Sequence, residues 1–419
     1  MPDFPIVNST GLSLRDALSV ASAHNVTLRQ MRADADSASA AARSAQAQTK
    51  PSLSTTTYGT VGDSSNILTS SPGVMPQNVF AVPPRGFADQ DLMLLVPLFT
   101  GGRLGSAAAS ARRQGEAAQL SVQASNLTVT EAVTEGYANS ALQQALVAVA
   151  QARLTAEDEQ VRVTQEKVRA GRSAPVDLLR EQAEQADARQ ALLTAQNNAA
   201  LALVNLKTVL GVSQESQIIL ADALDTLAGA ASATTLPDAL RQADSHRPEL
   251  ESAQKLVESA QASVSAARGA YAPQVYGVAM GDAMTGQGGG RAGYTVGLTA
   301  SLPLYDGGQR RADVDGAGAR LERARADALQ ARQTVDGQAA SAWLTLQTAM
   351  AQVQAARAGM AAAKEGYDLA NLRYNAGKSV TAERLDALSA LTRAQGAFTQ
   401  AEADAVTARA RLQAAVGQM

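Results

Sequence analysis

The stretch Leu302-Pro303-Leu304-Tyr305-Asp306-Gly307-Gly308-Gln309 decides how the rest of the chain is read. Before it, large apolar and small residues alternate; after it, apolar residues recur at helical spacing and proline is absent. A near-copy, Val96-Pro97-Leu98-Phe99-Thr100-Gly101-Gly102-Arg103, stands 206 residues earlier. At both places a period of two gives way to a period of about 3.5, and the pairs Gly101-Gly102 and Gly307-Gly308 supply a flexible strand-to-helix corner. Two such junctions imply a duplicated fold.

Composition argues against an ordinary globule, although 419 residues could hold two or three domains. Only 3% of residues are aromatic, and much of the 46% hydrophobic content is alanine. Alanine-rich, proline-poor stretches with scattered Glu, Gln, Lys and Arg suit long helices packed closely side by side. The formal charge is −3 and no basic run exists, so nucleic acid is not an expected partner. With no cysteine and two histidines, zinc-finger, iron–sulfur and thiol chemistry are excluded, and no metal or cofactor is expected. Met1-Pro2-Asp3-Phe4-Pro5 has neither a basic nor an apolar region of the kind an export signal needs. The expectation is either a cytosolic protein or a sequence that starts at a mature terminus behind an added methionine. No apolar run reaches the ~18 residues of a membrane-crossing helix, which leaves a β-barrel open.

An internal repeat organises the chain. Asp16-Ala17-Leu18 recurs as Asp238-Ala239-Leu240, His24 as His246, Leu28 as Leu250 and Pro51 as Pro273, all 222 apart. Beyond the first strand hairpin the offset is 206, as in Pro97/Pro303, Tyr137/Trp343, Gly171/Gly377 and Gly211/Gly417. The first half therefore carries extra residues, which fall in the Ser-, Asn-, Gly- and Pro-rich loop Gly62–Phe87. The expected division is a first repeat over 1-222, with a strand hairpin over 51-99 and a long helical hairpin over 104-210. A second repeat over 223-419 has its strand hairpin over 273-305 and its helical hairpin over 309-416. A linker around Ala228–Thr235 joins them.

Each half opens with one helix, 12–48 or 236–270, stopped by Pro51 or Pro273. Two strands follow. In the second half Tyr294, Val296, Leu298, Ala300, Leu302 and Leu304 alternate with small residues, and Tyr276, Val278 and Met280 mark the partner strand around the Thr285–Gly290 tip. In the first half Leu92, Leu94, Val96 and Leu98 repeat the pattern, whereas the strand after Pro51 is mostly Ser and Thr. A helix then runs from each Gly-Gly corner to about Ala170 or Ala376, roughly 100 Å at ~1.5 Å per residue. The heptads Leu346, Val353, Met360, Tyr367, Tyr374 and Val147, Leu154, Val161, Val168 favour left-handed helix packing. Tight turns at Gly171 and Gly377 send the chain back along a helix marked by Leu391, Phe398, Ala405 and Leu412.

Four strands about ten residues long match a bilayer, yet cannot close on themselves, and an open edge in lipid is untenable. If they span a membrane, several chains must share one barrel; the alternative is a soluble two-hairpin sheet packed on helices. The ordered set helix–strand–strand–long helix–turn–helix, twice, with Pro-Leu-Phe/Tyr-x-Gly-Gly before each long helix, resembles the TolC family of outer-membrane efflux proteins. So does the segment Arg373-Tyr374-Asn375-Ala376-Gly377-Lys378 with Leu385-Asp386-Ala387 behind it. The resemblance runs from about Leu12 to Gly417. It implies a mixed membrane protein: duplicated long-helix coiled-coil hairpins forming an α-helical barrel, plus four strands per chain of a shared trimeric β-barrel. It further implies a homotrimeric exit duct for efflux or type I secretion in the Gram-negative outer membrane and its lipid. The helical part would lie in the periplasm, with the chain ends helping to form an equatorial α/β region. Partners would be a periplasmic adaptor and an inner-membrane transporter.

Residue by residue, the resemblance puts Asp177 and Tyr374 where a latch joins the two helical hairpins, and Glu383 and Asp386 at a constriction. Gly171, Arg172, Gly377 and Lys378 would form the adaptor-docking turns. Ser379 departs from the arginine of a second latch, and Arg180 is the first-repeat counterpart of Asp386. The plainer readings stand beside these: Asp177 and Glu383 as acidic residues favoured at helix starts, Arg172 and Lys378 as solvated, and His24 and His246 as structural duplicates. The methionines do not share a helical face, which disfavours a copper or silver relay. No nucleophile–base–acid set emerges, and Gly286–Gly290 precedes no helix as a phosphate loop would. A channel, not an enzyme, is expected; the rival is a soluble alanine-rich coiled-coil scaffold.

Overall fold

The computed structural model describes residues 4–60, 87–227, 235–286, 289–376 and 378–418. The interior of the expected loop Gly62–Phe87, most of the Ala228–Thr235 linker, the tip residues Gln287 and Gly288, and the docking residue Gly377 lie outside them. The chain divides into two compact units, each drawing on both halves of the sequence. One comprises Met1–Asp34, Gln119–Ser252 and Leu329–Met419; the other comprises Ala35–Ala118 and Ala253–Ala328.

In chain order the elements are β1 (Ser9–Leu12), α1 (Leu14–His24), α2 (Val26–Ala47), β2 (Ser52–Thr60), β3 (Phe87–Phe99), α3 (Arg103–Arg169) and α4 (Pro175–Leu210). Then follow β4 (Ile218–Leu220), α5 (Leu224–Leu227), α6 (Leu236–His246), α7 (Pro248–Gly269), β5 (Gln274–Gly286), β6 (Gly289–Ser301), α8 (Gln309–Asn375) and α9 (Thr381–Ala415). Both α3 and α8 run unbroken for 67 residues. Among the described residues no helix is long and apolar enough to cross a membrane.

The first unit is a helical assembly with a small parallel sheet of β1 and β4. Its core joins Leu12, Ala17, Ala21, Leu28, Val133, Tyr137, Leu206 and Leu210. Tyr137 fits because its hydroxyl donates to the Leu12 carbonyl at 2.8 Å and accepts from the Asp222 N–H at 3.0 Å. A second core is largely alanine: Ala239, Ala342, Ala349, Ala405 and Ala408 with Leu346, Val353 and Leu412. Each alanine buries little area, so this packing depends on close helix approach over great length.

The single helices expected over 12–48 and 236–270 are each broken in two. Asn25 stops the first: its side-chain amide donates to Val209 O at 2.7 Å, and its oxygen accepts the Leu28 N–H at 3.1 Å, starting α2. Pro248 stops the second, holding Arg247 before it in extended backbone; Arg247 then donates to the Ala414 and Ala415 carbonyls, both at 3.3 Å, and pairs with Glu249 at 2.9 Å. Both breaks therefore satisfy the otherwise unpaired last carbonyls of a returning helix. Gly211 ends α4 at φ 73, and a Cβ there would lie 2.4 Å from the His24 carbonyl oxygen. Gly417 is likewise set against the His246 carbonyl.

The second unit contains a four-stranded sheet, order β2-β3-β5-β6, antiparallel throughout. The Ser/Thr-rich segment after Pro51 does form a strand, with Leu53 opposite Leu94 and Thr56 opposite Asp91. At the first corner Gly101 has φ 57 and packs on Gly269 and Ala272, leaving no space for a Cβ. Behind it, Ser110 on α3 bonds Ser259 and Ser263 on α7, each at 2.9 Å, and Arg113 pairs with Glu258 at 3.0 Å.

The Gly211 site gives a direct test. Gly211→Ala is expected to cost at least about 1–2 kcal/mol, because a left-handed residue must also meet a carbonyl. Gly105→Ala, in the first turn of α3 with open space, should be neutral or stabilising by up to about 1 kcal/mol. Thermal melting of the two detergent-solubilised variants should show that order.

Candidate functional site

The α3–α4 turn is closed by Gly171 at φ 68, with Arg172 N–H bonding Lys167 O at 2.8 Å and Gly171 N–H bonding Val168 O at 3.0 Å. This is the Schellman pattern, which sends a helix into a tight reversal. At the α8–α9 turn Lys378 N–H bonds Arg373 O at 2.9 Å in the same way. Arg172 and Lys378 are exposed.

The expected gate residues flank these turns. Asp177, in the first turn of α4, accepts from Ser173 Oγ at 2.9 Å and from the Ala174 N–H at 3.3 Å. Glu383, in the first turn of α9, accepts from Ser379 Oγ and pairs with Arg373 at 3.3 Å. Asp386 and Arg180 are exposed on their helices. Tyr374 accepts from Gln160 Nε2 at 3.2 Å, with the Lys167 ammonium 4.4 Å from its ring centre. Within the chain Asp177 and Tyr374 are thus not bonded to one another: the first caps a helix, the second ties α8 to α3.

Beside Tyr374 lies a cluster that the sequence reading does not include. Arg384 on α9, Glu157 on α3 and Glu181 on α4 are all at most 1% exposed. Arg384 donates to Glu181 at 2.8 Å and stands 3.6 Å from Glu157, with its guanidinium 5.8 Å from the Tyr374 ring centre. Two buried carboxylates therefore share one buried cation, and Arg384 Nε, Glu157 Oε2 and Glu181 Oε1 make no hydrogen bond among the described residues. Burial raises the Glu157 carboxyl above the usual carboxylate range, Arg384 opposes this, and Glu181 and Glu184 add to it. Arg153, 3.3 Å from Glu184, balances part of that neighbouring charge. A sequence signal for the cluster existed. Arg384 stands one heptad before Leu391, and Glu157 lies between Leu154 and Val161 on the packed seam, so both are polar residues at core positions.

The sheet has its own two faces, read from its register. Leu92 pairs with Gly281 and Gly281 with Tyr294; Leu94 pairs with Ala279 and Ala279 with Val296. That face is apolar, with Leu53 added by β2. On the other face Asp91 is opposite Asp282 and Asp89 opposite Met284, while Met93 with Met280, Leu95 with Val278 and Pro97 with Tyr276 continue the same face, flanked by Ser54, Thr56, Thr295 and Thr299. Three methionines thus share a strand face, though not a helical one. Among the described residues no group of acidic or histidine side chains is placed to hold a metal ion.

Paired long helices joined to an open sheet, apolar on one face and carrying aspartates among apolar residues on the other, make one chain's contribution to a channel of helical barrel and β-barrel. The description "Outer membrane efflux protein" fits residues 17–212 and 239–418, and the chain belongs to that family. The curated relative "Outer membrane efflux protein BepC" from Brucella suis biovar 1 (strain 1330) is 28% identical over 291 residues. That alignment spans 65% of this chain and 60% of the relative's own length. A crystal structure of CusC superposes with a TM-score of 0.80 at 19% identity, covering 99% of this chain and 94% of that one. The outer membrane protein VceC from Vibrio cholerae gives 0.78 at 19%, covering 97% and 96%. Family membership sets aside the soluble scaffold and the soluble sheet. The family's members are channels rather than enzymes.

The buried cluster yields a measurable asymmetry. Arg384→Met should cost about 3–5 kcal/mol by stranding two buried acids, whereas Glu157→Gln should be near neutral. Because the Glu157 pKa is raised, its contribution to stability is complete below the ordinary carboxylate value and is lost as pH rises through the shifted one. Amide exchange around 150–165 and 380–390 should therefore quicken with pH beyond the intrinsic rate, and Glu157→Gln should flatten that excess.

Proposed function

We propose that three copies of this chain close one passive duct across the outer membrane and periplasm, an exit path for drug efflux or type I secretion. The observation that carries the reading is the sheet: four antiparallel strands whose outer edges are unpaired among the described residues, one face apolar and the other carrying Asp89, Asp91 and Asp282. Edges of that kind are tolerated in lipid only when neighbouring copies close the sheet. Three copies would give twelve strands, within the range of bacterial barrels. The naming of BepC as an efflux protein, and the description of CusC in connection with transmembrane channel formation, support the same reading.

The helical hairpins would form the periplasmic part, with the turns at Gly171–Arg172 and Gly377–Lys378 receiving an adaptor bound to an inner-membrane pump. Docking would open the end where Tyr374, Asp177, Glu383 and Asp386 lie. The Tyr374–Gln160 bond supports a role for Tyr374 in holding the hairpins together. The exposure of Glu383 and Asp386, three positions apart on one helical face, supports a carboxylate-lined mouth once three copies assemble.

Two measurements test this. Detergent-purified protein should run as a trimer by native mass spectrometry; a stable monomer inserted in lipid would sink the reading. In planar bilayers, Glu383→Ala with Asp386→Ala should lower cation-over-anion selectivity severalfold. Unchanged selectivity would leave both as ordinary helix-start residues.

A further inference from the structure

The buried cluster is short of one positive charge. Glu157, Glu181 and Arg384 all lie within the first unit, where two carboxyl groups share a single guanidinium. Few other charges face them. Arg153 of α3 and Glu184 of α4 are part-exposed and pair with each other at 3.3 Å, so they largely cancel. From α8 comes the uncharged Tyr374 ring, 5.8 Å from the guanidinium; the Lys167 ammonium lies 4.4 Å from that ring's centre and pairs with neither carboxylate among the described residues. A neutral core therefore needs one proton on the carboxylates. Glu157 is the group that takes it. It stands 3.6 Å from Arg384 where Glu181 is at 2.8 Å, its Oε2 has no hydrogen-bond partner among the described residues, and burial raises its carboxyl above the usual range.

The cluster also joins two hairpins that are otherwise separate. Glu157 and Glu181 belong to α3 and α4, whereas Arg384 sits in the first turn of α9, just beyond the α8–α9 turn. That first turn presents Glu383 outward, paired with exposed Arg373 at 3.3 Å, and Arg384 inward. Any movement of α9 away from α3 and α4 must part Arg384 from both carboxylates. Parting has its own compensation. Arg384 Nε, Glu157 Oε2 and Glu181 Oε1, which make no hydrogen bond among the described residues, would meet water, and each carboxyl would then ionise as an ordinary one does. The cluster thus has two arrangements, one buried and one solvated, that differ by one proton.

We infer that Glu157, Glu181 and Arg384 are a proton-bound clasp between the two helical hairpins, holding α9 against α3 and α4 while the proton is on Glu157. When that O–H ionises, its proton passes to bulk water and the core is left with a net negative charge. Water then enters to solvate it, and the clasp loosens. The sign follows from linkage. Because the Glu157 carboxyl is raised in the held arrangement, the hold is complete at low pH and weakens as pH rises through the shifted value. The consequence for transport rests on the reading above, in which the turn end is the mouth of the duct: the mouth opens more readily at neutral pH than in acid.

The test reads the clasp and the duct separately. The chain has no cysteine, so spin labels at Arg172→Cys and Lys378→Cys, exposed on the two turns, report alone. Doubly labelled full-length protein, diluted with unlabelled chain so that only distances within one chain are seen, is measured by pulsed electron paramagnetic resonance. Between about pH 5 and about pH 8.5 the longer-distance population should grow about threefold or more. Glu157→Gln, a fixed stand-in for the protonated acid, should keep the low-pH distribution throughout. Glu184→Gln should move the midpoint to lower pH, since Glu184 helps to raise Glu157; a merely structural cluster would show no such shift. Distances that ignore pH, or a response that survives Glu157→Gln, overturn the clasp and leave the duct standing. Planar-bilayer conductance of the unlabelled protein should rise severalfold over the same range, and flatten in Glu157→Gln. Distances that respond while conductance does not follow support the clasp and overturn the turn end as the mouth.

Discussion

A backbone N–H or C=O left unpaired in hydrocarbon costs several kcal/mol, and this sheet ends in two rows of such groups, along β2 and β6. Much else in the chain is intelligible as a response. A sheet that must be completed by copies of itself needs corners that repeat, and the Pro-Leu-x-x-Gly-Gly junction stands at the end of both β3 and β6. It needs an apolar outer band, which Leu92, Leu94, Tyr294, Val296 and Leu298 provide across glycine and alanine on β5. The scarcity of aromatic residues follows too, since a barrel wall and thin helical walls have no deep interior for large rings to fill.

The helical unit solves a different problem. Alanine-lined helices approach closely but grip weakly, and a small-residue surface looks much the same after a slide of one heptad. Arg384, Glu157 and Glu181 break that degeneracy. A buried ion pair is a poor source of net stability, because desolvation offsets its attraction. Displaced, however, it leaves uncompensated charge in the core, so it penalises every wrong alignment of α9 against α3 and α4. Asn25 and Arg247 act similarly at the other end of the returning helices, where each recognises the terminal carbonyls of α4 or α9 and no other turn.

What the sequence disclosed, and what it hid, follows from the range of the interactions. Strand alternation, the glycine corners and the unbroken long helices are local signals, and they were legible. The break at Asn25 was not: asparagine is no helix breaker by itself, and it acts through a carbonyl far away in the chain; the break at Arg247 was legible, because Pro248 lacks an N–H and disfavours a helical residue before it. The buried triad was half visible, since the heptad of Leu391 extends back to Arg384. Yet a charged residue on a helix is ordinarily solvated, and only the fold reveals that three helices enclose it. The acidic strand face was missed because Asp89 and Asp91 precede the clear Leu92–Leu98 alternation, and pairing with Asp282 depends on β3 meeting β5. Tyr374 and Asp177 both fall near the turns, where within the chain Tyr374 bonds Gln160 and Asp177 bonds Ser173.

The placement of those aspartates also bears on which way the sheet would face in the proposed barrel. Asp91 and Asp282 are directly opposed, an arrangement that repels and is normally avoided. In lipid it would be prohibitive, since a carboxylate there has neither water nor a counter-ion. Against water the repulsion is screened, and Arg291, opposite Met284 and so on the same face as Asp89, offsets part of the charge. In the proposed barrel the face of Asp89, Asp91 and Asp282 would therefore meet water and the face of Leu92 and Leu94 lipid. Repeated by threefold assembly, the carboxylates of β3 and β5 would form rings in a narrow aqueous passage, where low-dielectric walls concentrate their field.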